Sequence, residues 1–295
     1  MSLMNKGFRL VVTIIGLLAV YYVLQLLFLH LATELLIKIA SHTGAIPAEA
    51  ADFSQNIQYV NDHPAVKSCL VNARALGILF STVSMLLFIH FAGYYRLRRG
   101  LWRSLSSRPL VISTLLVYSS MVALNIFVQW FPLQDNLDTV FDGLSHNILG
   151  AFGLAVLAPM LEEVLFRGAI QGCLMRFYGR PWPAIITAAL VFGIIHWNPV
   201  QIVYASLFGI VLGWIYYRTG SLLYVIVGHV LNNTFAVITT VLGSGAEEKA
   251  VSGGSVGIAS FVIFALLSVY LAVKLNNSLP PVEELKSKED NRASS

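Results

Sequence analysis

Apolar runs long enough to cross about 30 Å of hydrocarbon, at about 1.5 Å per residue, recur along the whole chain. The clearest lie at roughly 10 to 37, 71 to 95, 110 to 132 and 255 to 273. Between 147 and 243 the apolar stretch is nearly continuous. It is broken by Arg176, Arg180 and Pro181, by Asn198 and Pro199, and by Arg218, Thr219 and Gly220. Those breaks divide it into four further segments, near 147 to 175, 182 to 196, 199 to 217 and 221 to 243. The expected fold is therefore all-α, a polytopic membrane helix bundle of about eight transmembrane helices. Composition agrees, since 57% of the 295 residues are hydrophobic and only 12% are charged.

The charges also orient the bundle. With the N-terminus inside, the cytoplasmic segments hold Lys6 and Arg9, then Arg96, Arg98, Arg99, Arg103 and Arg108, then Arg176 and Arg180, then Arg218, then Lys274. The opposite loops carry Asp52, Asp62, Asp135, Asp138, Asp142, Glu247 and Glu248, with Lys67 and Lys249 as their clear cations. Both termini are thus expected in the cytoplasm, in a multi-pass protein of the inner or plasma membrane. The net charge of +4 follows from this loop bias, so nucleic acid is not an expected partner. Cys69 and Cys173 show neither pairing nor C-x-x-C spacing, and suggest neither a disulfide framework nor a thiolate zinc site. The basic start is followed by an apolar run too long for a signal peptide, so the first helix is read as retained. The chain divides into N-terminal helices and loops over 1–140, a helix bundle carrying the chemistry over 141–275, and a disordered cytoplasmic tail over 276–295.

An ion at the bilayer centre costs about 2.5 to 3.5 kcal/mol, so each one there needs a partner or a function. Glu162 and Glu163 precede Arg176 by about 14 residues, which sets them about 20 Å from the basic edge. His229 and Asn233 lie about 12 to 18 Å in from the same side. His196 ends the fifth segment beside the helix-breaking Trp197, Asn198 and Pro199. Glu163 and Arg167 stand four apart with the acid first, the order that favours an ion pair. Glu162, turned about 100° away from that pair, is left as the expected general base. His229 and Asn233, also four apart, share a face and offer an imidazole and an amide suited to an oxyanion. His30 and His90 are read as interhelical hydrogen-bonding groups, and the small residues around Gly209 and Gly213 as close helix packing.

Three patterns now stand in order: E-E-x-x-x-R from Glu162 to Arg167, F-x-x-x-H from Phe192 to His196, and H-x-x-x-N from His229 to Asn233. Together they resemble the CPBP family of intramembrane endopeptidases, which includes the CAAX-processing Rce1-type proteases and the bacterial Abi proteins. The resemblance covers roughly 145 to 243 and implies hydrolysis of a peptide bond in a membrane-associated protein or peptide, with prenylated CAAX-type substrates included in that class. Carried over by position, Glu162 and His196 activate the water, and His229 with Asn233 stabilise the oxyanion. Glu163, Arg167 and Phe192 support them. The resemblance leaves open a divalent metal such as zinc, held by Glu162, His196 and His229, and a metal-free water mechanism, of which the second is preferred. A proton- or ion-coupled transporter, which intramembrane Glu, His and Arg also build, is the alternative from another class, although no internal repeat is visible. A non-catalytic immunity-type membrane protein is a third.

Overall fold

The computed structural model describes residues 3–47, 49–50, 57–95, 106–134, 138–243 and 254–280, and what it describes is helical, with turns and no strand. We number the helices α1 (Leu3–His42), α2 (Ile57–Asp62), α3 (Pro64–Phe91), α4 (Ser107–Gln129), α5 (Asp138–Ser145), α6 (Ile148–Tyr178), α7 (Pro181–Ile194), α8 (Pro199–Thr219), α9 (Leu222–Val241) and α10 (Gly254–Ser278). The boundaries follow local chemistry. Proline opens α3, α7 and α8, where its missing N–H costs nothing, and Gly179 and Gly220 close α6 and α8 in the left-handed conformation.

Among the described residues, seven helices are long and apolar enough to cross a membrane: α1, α3, α4, α6, α8, α9 and α10. The expected eighth span is α7, and its 14 residues reach only about 21 Å, short of the roughly 30 Å core. The protein is a multi-pass integral membrane protein. Its outer helices turn their apolar side chains outward, as Ile15, Val23, Leu26 and Leu35 do on α1 and Ile263, Leu266 and Val269 on α10. Water would not tolerate that continuous apolar surface, and hydrocarbon does.

One buried cluster joins Leu17 and Tyr21 of α1, Met85 and Ile89 of α3, Leu116 and Val117 of α4, and Leu271 and Leu275 of α10 to the interior of α6 to α9. Gly7 of α1 lies against Phe177 of α6, the Ser106 N–H before α4 donates to Tyr224 Oη at the start of α9, and Arg218 of α8 donates to the Asn276 carbonyl of α10. Lys6, Arg108, Arg176, Arg180, Arg218 and Lys274 are therefore gathered toward one end of the bundle. Arg96, Arg98, Arg99, Arg103, Asp52, Asp135, Glu247, Glu248 and Lys249 lie outside the described residues, as does the tail from 281 onward. Residues 276–278, expected to open a disordered tail, are instead helical, because α10 continues to Ser278. His30 and His90, expected to bridge helices, instead lie exposed on α1 and α3, with His90 edge-on to Phe91.

Candidate active site

The backbone of α6 changes pitch on either side of the paired glutamates. Wide π turns run over Gly153–Leu157 and Val164–Gln171, and ordinary α-helix over Ala158–Glu163 lies between them. Pro159 explains the first. It cannot donate to the preceding turn and its ring crowds the carbonyl four residues back, so the helix widens and Ala158 N–H bonds Gly153 O, five residues back. Such bulges recur at functional sites because they re-aim side chains without ending the helix.

Glu163 and Arg167, at 0% and 1% exposure, form the expected pair, with Arg167 Nη1 2.7 Å from Glu163 Oε1. The same carboxylate oxygen is also 2.7 Å from His229 Nδ1 of α9. In this geometry the neutral imidazole donates from Nδ1 and keeps its lone pair on Nε2. That Nε2 faces Glu162 Oε2 at 3.6 Å. The sequence expectation of a self-contained Glu163–Arg167 pair beside a partnerless Glu162 therefore gives way to one cluster in which His229 lies between the two carboxylates. Arg167 is held further by a 3.2 Å bond to Gly209 O of α8, and its guanidinium lies 4.6 Å from the centroid of Phe192 of α7. Gly209 must be small here, since a Cβ would sit 3.1 Å from that of Ala189. Gln171, one turn beyond Arg167, repeats the pattern by donating to Gly213 O at 3.0 Å. The small-residue stripe on α8 thus does pack closely, and it also exposes carbonyls to the polar side chains of α6.

Phe192 ties the two histidines together. Its ring is edge-on to both His196 and His229, with centroids 5.0 and 5.8 Å away. His196 joins the cluster through that ring, with its Nδ1 bonded to Phe192 O at 2.8 Å. Its depth now has a cause. Since α6 and α7 meet at Gly179 and Arg180, the 15 steps from Pro181 to His196 climb about 23 Å, and the 16 steps from Glu162 to Tyr178 about 24 Å. The short helix therefore ends at the level of the carboxylates. The chain then reverses through Trp197, whose φ of 53° is unusual for a bulky residue, and Asn198 caps α8 by accepting from Val200 N.

Asn233 stands one turn beyond His229 on α9. Its amide donates to Leu154 O of α6 at 3.0 Å and accepts from Asn232, which in turn accepts from Tyr204 Oη of α8 at 2.5 Å. Sequence reasoning missed Asn232 and Tyr204, and it missed α1 entirely. Tyr21 is buried in the core cluster that also holds Leu161 and Phe192. Tyr22 donates to Ile195 O at 2.6 Å and accepts from Trp197 Nε1 at 2.9 Å. The signal was a tyrosine pair in the middle of an otherwise aliphatic run.

The structure does not bring Glu162, His196 and His229 together as a three-ligand metal set. Among the described residues no three His, Cys, Asp or Glu side chains are grouped to hold an ion. Nδ1 of His196 is bonded to a backbone carbonyl and Nδ1 of His229 to Glu163, so Nε2 is on each the nitrogen left for other partners.

Fold and cluster together define a class: a polytopic helical membrane protein with a buried, hydrogen-bonded Glu–His site. Residues 144–235, running from the end of α5 into α9 and spanning every residue of the cluster outside α1, match the family described as type II CAAX prenyl endopeptidase Rce1-like. A stretch of 105 residues is 27% identical to the Bacillus subtilis (strain 168) protein named "Putative membrane peptidase YdiL", covering 36% of this chain and 43% of that one. The chain thus matches less than half the length of that curated relative. No solved structure matches it.

Proposed function

We propose that the protein is an intramembrane endopeptidase, and the observation that carries this is the buried contact chain from Glu162 through His229 and Glu163 to Arg167. Two acceptors, the Glu162 carboxylate and the His229 Nε2 lone pair, face one another across a gap too wide for a direct hydrogen bond. A water donating to both satisfies them and is polarised for attack. His196, with Nδ1 committed to the backbone, offers Nε2 as an alternative acceptor for one of that water's two protons. As the water oxygen bonds to the scissile carbonyl carbon, its proton passes to Glu162. The Asn233 amide retains one N–H beyond its bond to Leu154 and stabilises the oxyanion, while His229 keeps its Nε2 lone pair on the attacking water. Collapse of the tetrahedral species breaks the C–N bond, and the proton on Glu162 goes to the leaving amine. Glu163 holds the imidazole in the required tautomer, and Arg167 holds Glu163.

The substrate is a membrane-associated protein or peptide, because the site lies among helices whose outer faces meet lipid. The matched family's name points to a prenylated C-a-a-X segment as the first class to try. Substrate trapping with Glu162→Gln in native membranes tests the assignment. The variant is expected to retain peptides that the parent protein releases as fragments. Equal recovery of intact peptides from both, with cleavage undiminished in the variant, would refute the role of Glu162.

A further inference from the structure

The site as read so far draws on α6 to α9, yet its most exposed catalytic element is held from outside that segment. His196 sits in the turn between α7 and α8, where Trp197 adopts a left-handed backbone and leaves its side chain 76% exposed. A bulky residue does not stay in that conformation by local preference, so other contacts must hold it. Trp197 is bonded from α1. A single hydroxyl, that of Tyr22, accepts from the Trp197 indole at 2.9 Å and donates to the Ile195 carbonyl at 2.6 Å. The two bonds bracket His196 on both sides. The preceding residue brings α1 closer still to the chemistry, since Tyr21 packs in the core cluster that includes Leu161 and Phe192.

We infer that α1 forms a wall of the active site and that Tyr22 is a positioning residue, its hydroxyl clamping the Ile195–Trp197 turn so that His196 faces the carboxylates. This rests on the endopeptidase reading for its catalytic consequence but not for its structural one. The hydroxyl sits at a position where phenylalanine would pack equally well in lipid, and its donor and acceptor capacity are both used. Release of the turn lets Trp197 relax toward an ordinary backbone conformation and carries His196 away from the Phe192 edge. Glu162 and His229 lie on other helices and stay in place.

Amide hydrogen exchange on the purified full chain, compared with its Tyr22→Phe and Tyr224→Phe variants, tests the structural part without any substrate. Tyr224 bonds Ser106 at the basic end and serves as the control for losing a tyrosine hydroxyl. Exchange over residues 195–200 is expected to rise about tenfold in Tyr22→Phe, the loss of one to two neutral hydrogen bonds, with α9 around His229 unaltered. Unaltered exchange in the turn overturns the clamp, and so does a rise spread equally over α9, which would mark general loosening. The catalytic part is read with a farnesylated C-a-a-X reporter peptide and an unprenylated transmembrane reporter. For Tyr22→Phe, kcat falls about tenfold with KM within twofold, and adding Trp197→Phe costs less than a further twofold because both act through one contact. Parent-like kcat overturns the positioning role. Undiminished cleavage by Glu162→Gln in the same assay sinks the endopeptidase mechanism and leaves the exchange result to judge the clamp.

Discussion

Replacing Arg167 by methionine removes the cation from a site where nothing else can take its place. The side chain is fully buried, bonds Glu163 at 2.7 Å and Gly209 O at 3.2 Å, and lies over Phe192. Afterwards Glu163 keeps only His229. Its Oε2 already has no hydrogen-bond partner among the described residues, and the Gly209 carbonyl is left with its helical bond alone. Breaking a buried pair from one side costs about 3 to 5 kcal/mol, because the remaining charge stays in low dielectric. Glu163→Gln strands Arg167 in turn, at a similar cost. The double variant Glu163→Gln, Arg167→Met holds no stranded charge and should lose about 2 kcal/mol or less, which makes the two changes strongly non-additive. Thermal unfolding in detergent measures this. At roughly 2 to 4 °C per kcal/mol, each single variant drops by about 10 °C and the double variant recovers at least half of that. Losses that add in the double variant, or a single-variant drop under about 2 °C, would refute the view that the pair is electrostatically closed.

Gly193→Ala places a methyl 2.6 Å from Ile202 O and against Ser206 Oγ, so α7 and α8 must part. A loss of about 1 to 3 kcal/mol is expected, together with a displaced His196 seen as reduced kcat. Phe192→Ala removes the ring shared by Phe166, Arg167, His196 and His229 and should cost about 3 to 5 kcal/mol. Phe192→Leu should recover much of the stability but not the activity, and equal activity would deny the ring any role in aligning the histidines. Asn233→Ala should lower kcat by about 10² to 10³ if the amide meets the oxyanion, whereas a change in stability alone would assign it to the Leu154 contact.

Much of the architecture is legible in the sequence because a bilayer imposes one length scale on every apolar run. Helix starts at Pro64, Pro181 and Pro199 and the left-handed closures at Gly179 and Gly220 are local signals, and they fall at or near where breaks were expected. The exception, α7, is informative. Periodicity and hydropathy cannot distinguish a helix that crosses from one that stops at mid-depth, and only the position of His196 against the carboxylates shows which it is. Helical spacing correctly paired Glu163 with Arg167. It could not show that His229, 66 residues away, bonds the same oxygen, because spacing orders residues within one helix only. The π turns were hidden for a different reason: Pro159 signals disruption, but whether a helix kinks, ends or widens depends on what packs around it. Tyr21 and Tyr22 were passed over because hydroxyls in an apolar run carry no charge to flag them.

The most direct measurement uses purified protein in proteoliposomes with a membrane-embedded reporter peptide, its products identified by mass. The account predicts two fragments from one internal cut, whose masses sum to the reporter plus one water. It further predicts that Glu162→Gln and His229→Ala bind the reporter without cutting it. An intact reporter with the parent protein across both prenylated and unprenylated substrates, or unimpaired cleavage by either variant, would contradict it.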